Sequence, residues 1–360
     1  TDVVRVAIVL EERSAVEAGY STMDIASNAA ATAYRTGLER KQEALAHTIS
    51  TQALGGKELD VVWNLTLAAN LISANVEYGQ IDAIRQVTGV KGVYVETVYT
   101  PDTVSDGGEA DVHMLPSSDM VGSAAVWEAG YTGAGTRIAV IDTGLDMDHP
   151  AFSGEAMDYA LEELAQEAGM ETGAFRRSLD LLNPEMLEPL LPKLNASRRM
   201  EGLTAQALYR NTKVPFAFNY KDCDLDVTHD NDNQGDHGTH VSGIATANRY
   251  IPSEKGFDLT ADAVKMTGTA PDAQLLVMKV FGKNGGPTDT DFLAALEDAI
   301  ALGCHSVNMS LGSNNTGFVT STLAYFNEIF ASLEKTDTVV VVSAGNAGAW
   351  TDNARNKNQP

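Results

Sequence analysis

The sequence predicts an α/β protein: a parallel sheet flanked by helices, preceded by a small α+β unit. Two observations carry this. From Arg137 onward, short apolar runs alternate with helical segments, the pattern of strands buried on both faces with crossover helices between them. Before about residue 100, strand-like and helix-like stretches follow in the order β-α-β-β-α-β.

In the first unit, the valine-rich run Val3–Leu10 reads as a strand. Residues from about Ile25 to Ala53 are rich in Ala, Leu, Lys and Glu, which favour helix. Leu59, Val61, Trp63, Leu65 and Leu67 alternate with other side chains, as in a half-buried strand. Ile72, Ala74, Val76 and Tyr78 alternate again after a turn near Asn70. Ile81, Ile84 and Val87 share one helical face, and Val93, Val95 and Val98 suggest a last strand. This order is the split βαβ, ferredoxin-like arrangement. Residues 101–119 lack periodicity, are rich in Asp and Gly, and read as an exposed, easily cut linker.

The second unit covers residues 120–360. Its expected strands are Ile138–Ile141, Phe216–Tyr220, Leu275–Phe281, Ser306–Met309 and Val339–Val342. Helices are expected at Thr239–Asn248, Asp289–Leu302 and Ser321–Lys335. Residues 153–212 interrupt the pattern; helical in composition and carrying Pro184, Pro189 and Pro192, they read as a surface insertion without chemistry of its own.

Composition narrows the function. The chain has 25 Lys and Arg against 49 Asp and Glu, a net charge of −24. Such a balance argues against nucleic acid or an anionic membrane as partner. No run of 18 apolar residues is present, so no membrane span is expected, and there is no signal-peptide pattern. The chain begins at Thr1 and not at Met, so an N-terminus trimmed by processing or by a chosen boundary is expected. Cys223 and Cys304 make no disulfide framework, and Cys304 reads as an inert buried thiol.

Three short strings carry chemistry. Asp142 ends an apolar strand, where α/β sheets place their ligand sites. A carboxylate there can fix a histidine tautomer and stabilise the imidazolium. His237 stands before Gly238 at a helix start and titrates near neutrality, as a general base must. His240, on the same helix, reads as structural. Asn346 follows a buried strand and the turn Ser-Ala-Gly, where a side-chain amide can donate to an oxyanion.

Together, Asp142-Thr-Gly, His237-Gly-Thr-His-Val-Ser-Gly, Asn308-Met-Ser-Leu-Gly312 and Ser343-Ala-Gly-Asn346 resemble four successive blocks of the subtilisin-like serine proteases. The resemblance implies a subtilisin-like sheet and an endopeptidase acting on polypeptide substrates. It gives Asp142 the role of orienting acid, His237 that of base and then acid, and Asn346 a place in the oxyanion hole. Ser310, Leu311 and Gly312 would present backbone to an extended substrate, with Gly285 and Gly286 on the opposite wall. The nucleophilic serine is then expected beyond Pro360. No cofactor is implied for catalysis, and a structural calcium ion is allowed. The acidic loop Asp222, Asp224, Asp226, Asp230, Asp232 departs from an EF-hand at Val227 and Asn233, and by itself reads as a solvated loop.

The first unit resembles the family's inhibitory propeptide in pattern and position, its tail expected to block the cleft near Val95–Thr103; an unrelated α+β binding module is the other reading. The insertion and the string Lys213-Val-Pro-Phe-Ala-Phe-Asn-Tyr220 resemble large cell-envelope proteinases of Gram-positive bacteria, of the lactocepin type. That implies an extracellular, wall-associated setting. A catalytically inactive subtilase-fold adhesin or interaction module remains the alternative. A different hydrolase class would need a Gly-x-Ser-x-Gly elbow, which is absent.

Overall fold

The computed structural model describes residues 2–23, 25–101, 114–264, 266–312 and 324–343. The first unit runs β1 (Val3–Leu10), α1 (Ala29–Gln52), β2 (Asp60–Leu65), β3 (Leu71–Glu77), α2 (Ile81–Arg85) and β4 (Val90–Val95). Its strands form one antiparallel sheet in the order β2-β3-β1-β4, the split βαβ arrangement. The first helix starts at Ala29 and not near Ile25, because the Asn28 side chain accepts the N–H groups of Ala30 and Ala31, the chemistry of an N-cap.

Alternation gives this sheet two apolar faces. Val6, Ile8, Ile72, Ala74, Ile84 and Val93 form the unit's own core under its helices. Ala7, Trp63, Leu65 and Leu71 point the other way and merge with the core of the second unit.

The second unit is built on β6 (Arg137–Asp142), β7 (Phe216–Asn219), β8 (Gln274–Lys279), β9 (Ser306–Met309) and β11 (Val339–Val342). Two-residue strands β5 (Thr100–Pro101) and β10 (Leu311–Gly312) form a separate antiparallel pair. The five-stranded sheet has the order β11-β9-β6-β8-β7 and every pair is parallel. All residues of β7 and β8 are buried, which explains why both are apolar except at their ends, Asn219, Gln274 and Lys279. The flanking helices include α3 (Gly154–Glu167), α4 (His237–Thr246), α5 (Asp289–Ala301) and α6 (Ala324–Leu333).

Every residue of α5 is buried. Its acidic side chains survive burial because each has partners. Glu297 accepts the N–H groups of Leu67, Ala68 and Ala69 at 2.9, 2.7 and 3.2 Å. The expected strand through Leu67 therefore ends at Leu65: the backbone donors beyond it go to this carboxylate, not to a ladder. Asp298 accepts from the N–H groups of Asn195 and Ala196 and from the Tyr220 hydroxyl, at 2.7, 2.9 and 2.8 Å.

The insertion departs from the expectation of a surface decoration. Leu182, Leu187, Leu191 and Leu194 are at most 8% exposed and belong to the main core. Pro184 and Pro192 open short helical turns, and this broken path returns the leucines to the core where one long helix would hold only a stripe against it.

Candidate active site

Asp142 sits at the carboxyl end of the central strand β6, 1% exposed. His237 opens α4, and its Nδ1 lies 2.8 Å from Asp142 Oδ1. A carboxylate can only accept, so Nδ1 donates and the ring's basic lone pair is left on Nε2. The same Oδ1 accepts the N–H of Thr143 at 2.7 Å.

Glycine and threonine hold the two elements together. Thr143 Oγ1 accepts the N–H of Gly238 at 2.8 Å, and Thr239 Oγ1 accepts that of Asp146 at 2.8 Å. A Cβ on Gly238 would stand 2.3 Å from the Gly144 carbonyl oxygen. Gly144 has φ +112°, and its own Cβ would meet the Val227 carbonyl oxygen at 2.1 Å. Two glycines thus permit the close approach that sets Asp142 against His237. Below them, Lys279 donates to the Thr143 carbonyl and pairs with Asp232 at 2.8 Å, both side chains almost fully buried. Neither was singled out as a pair by the sequence; a lysine ending an otherwise apolar strand was the available signal.

Gly285–Thr288 and Ser310–Gly312 form two edges with a strand of the chain itself between them. On one side, Gly285 (φ +95°) closes a turn with Gly282 through two backbone hydrogen bonds of 3.0 and 3.1 Å. Past it, the N–H of Tyr99 donates to the Pro287 carbonyl at 2.9 Å, and Val98 bridges Thr288. A Cβ on Gly286 would stand 2.1 Å from the Tyr99 carbonyl oxygen. On the other side, Leu311 pairs with Pro101 and Gly312 with Thr100 in antiparallel register. The Ser310 hydroxyl accepts from the Asn308 amide at 2.9 Å beside this edge. The chain's own residues 98–101 pair with both edges as an added strand. Asn346 lies outside the described residues.

The segment is fastened from behind by carboxylates the sequence reading did not single out. Glu96 accepts from the Thr290 N–H at 3.1 Å and from the Ser73 hydroxyl at 2.8 Å. Asp289 accepts from the Tyr325 hydroxyl at 2.6 Å and the Thr97 N–H at 3.2 Å. Burial pushes Asp289 up to about 7, with the nearby Glu96 charge adding to the rise, and burial raises Glu96 as well. Acidic residues opening an otherwise apolar helix were the signal available here.

The acidic loop shapes the wall instead of converging on one point. Asp222 accepts from the Lys283 N–H and the Asn284 amide, at 2.9 and 3.0 Å, and so fixes the Gly282–Gly285 turn. Asp226 is held by Thr228 and Asn231, and Asp232 by Lys279. Among the described residues, no group of three or more His, Cys, Asp or Glu is arranged to hold a metal ion. No described helix is long and apolar enough to cross a membrane.

The model of the Subtilase family matches residues 133–360. The chain belongs to the subtilase family. Among its relatives, the PII-type proteinase of Lacticaseibacillus paracasei is 31% identical over 286 residues, covering 78% of this chain and 12% of that protein. The minor extracellular protease Vpr of Bacillus subtilis is 27% identical over 292 residues, covering 78% of this subtilase and 27% of Vpr. This subtilase therefore spans only a small part of the curated relatives it matches. It is also similar to the epidermin leader peptide processing serine protease of Staphylococcus aureus, at 16% identity and a TM-score of 0.47, over 99% of this chain and 63% of that one.

Proposed function

We propose that this chain carries the acid, the base and an oxyanion donor of an extracellular serine endopeptidase, held in a blocked form by its own N-terminal unit. The observation that carries the reading is the 2.8 Å Asp142–His237 contact beside a cleft filled by residues 98–101. Asp142 orients His237 and stabilises its cation. His237 takes the proton of a serine hydroxyl and returns it to the leaving amine. In this reading that serine lies in sequence following Pro360. Asn346 donates to the oxyanion. The polypeptide substrate is bound as a strand between the Gly286–Thr288 and Ser310–Gly312 edges, in the place of residues 98–101. The relatives' descriptions as proteinases, one of them extracellular, support the activity and the location.

In this reading residues 1–100 are an inhibitory propeptide, and the maturation cut falls within the linker, residues 101–119. The test is peptide hydrolysis by the longer encoded protein with and without the N-terminal unit. Hydrolysis that appears on removal of that unit, and is lost in His237→Ala with folding intact, is the expected result. No hydrolysis by the longer protein freed of that unit would favour an inactive interaction module.

A further inference from the structure

The N-terminal unit rests on α5 and α6, but it is also gripped from a third side, by the insertion. Strand β2 is the edge of its sheet, and an edge strand presents unpaired backbone groups. The short helix Asn195–Arg199 of the insertion packs against that strand. Arg198 donates to the Asn64 carbonyl on β2 at 3.2 Å and pairs with Glu39 on α1. The Arg199 guanidinium lies over the Trp63 ring, 5.6 Å from its centroid. Lys193 donates to the Ala26 carbonyl, while its own carbonyl accepts from Arg35 at 3.3 Å.

The same five-residue helix is tied to the second unit. Its Asn195 and Ala196 N–H groups bond Asp298, and the Asn195 amide donates to the Ala294 carbonyl at 3.2 Å. An inert surface insertion would turn its cations to solvent. Here three cations in a strongly acidic chain meet groups of the docked N-terminal unit: two carbonyls, a carboxylate and an aromatic face.

We infer that residues 193–199 are a clamp that keeps the N-terminal unit seated on the second unit after the linker between them is cut. In the proposed precursor, the clamp would set how long inhibition outlasts cleavage. That consequence rests on the inhibitory reading; the clamp itself does not.

The experiment places a site for a sequence-specific protease within residues 102–113 of the full chain. After cutting, release of the N-terminal unit is followed by size-exclusion chromatography and by exchange with labelled unit. The cut chain should stay together, and Arg198→Ala with Arg199→Ala should release the unit about tenfold faster or more, from loss of a charged pair and a cation–π contact. Glu39→Arg alone should also speed release, and combining it with Arg198→Glu should slow it again, a recovery that misfolding cannot imitate. Dissociation of the parent chain at once on cutting, release rates unchanged by the substitutions, or no recovery in the charge swap would overturn the inference. The readout is release, so it stands whether or not the longer protein proves to be a peptidase.

Discussion

The carbonyl oxygen of Tyr99 and the α-carbon of Gly286 share a space that admits only hydrogen: a Cβ on Gly286 would stand 2.1 Å from that oxygen. Residues 98–101 can therefore lie in the cleft only while position 286 has no side chain. Gly286→Ala should expel them while leaving the catalytic core intact. Limited proteolysis of the chain should then cut at Val98–Pro101 at least several-fold faster.

Asp142→Asn should leave the fold intact, remove the negative charge beside His237 and let an amide N–H donate to Nδ1, which selects the wrong tautomer. By analogy with other serine-protease triads the loss in kcat is about 10⁴-fold. Steady-state kinetics of the longer protein, with circular dichroism as the fold control, checks this.

Docking of the N-terminal unit should weaken as pH rises. Glu96 and Asp289 are held together in the interface, faced by Ser73, Thr97, Tyr99, Thr288, Thr290 and Tyr325. Asp289 is raised from its ordinary value of 3.8 to about 7. A carboxyl raised on folding binds its proton more tightly in the folded state. Its contribution is full below 3.8 and lost as pH climbs through about 7. Urea unfolding midpoints should fall between about pH 4 and about pH 7, and Asp289→Asn should flatten that fall.

Glu297→Ala should strip the buried N–H groups of Leu67, Ala68 and Ala69 of their acceptor. Leaving buried donors unpaired costs about 1–3 kcal/mol each before relaxation, so a loss of about 2–4 kcal/mol is expected in urea unfolding. Glu297→Gln, which keeps one acceptor oxygen, should recover part of it.

Periodicity made most of the fold legible. The buried strands from Ile138 and Leu275, and the alternation at Trp63 and Leu65, were visible because a sheet's side-chain period is local; the shift in register between Val61 and Trp63, which turns Val61 to the other face, was not. The Asp142–His237 pair was legible because motifs fix the residue types that flank a close approach, Gly144 and Gly238 among them. Long-range partners were not legible. Nothing near Glu297 in sequence signals that its carboxylate ends strand β2, more than 200 residues away. The insertion was read as decoration for the same reason: Leu187 and Leu194 look unremarkable until Pro184 and Pro192 have turned them back to the core.

Labelling by a fluorophosphonate tests most directly whether Asp142 and His237 serve a serine supplied by the sequence after Pro360. The longer protein, freed of its N-terminal unit, should be labelled at a single serine outside residues 1–360. His237→Ala should abolish that label, and the 360-residue chain alone should take none. Labelling of the 360-residue chain itself, or a label on the longer protein that survives His237→Ala, would contradict it.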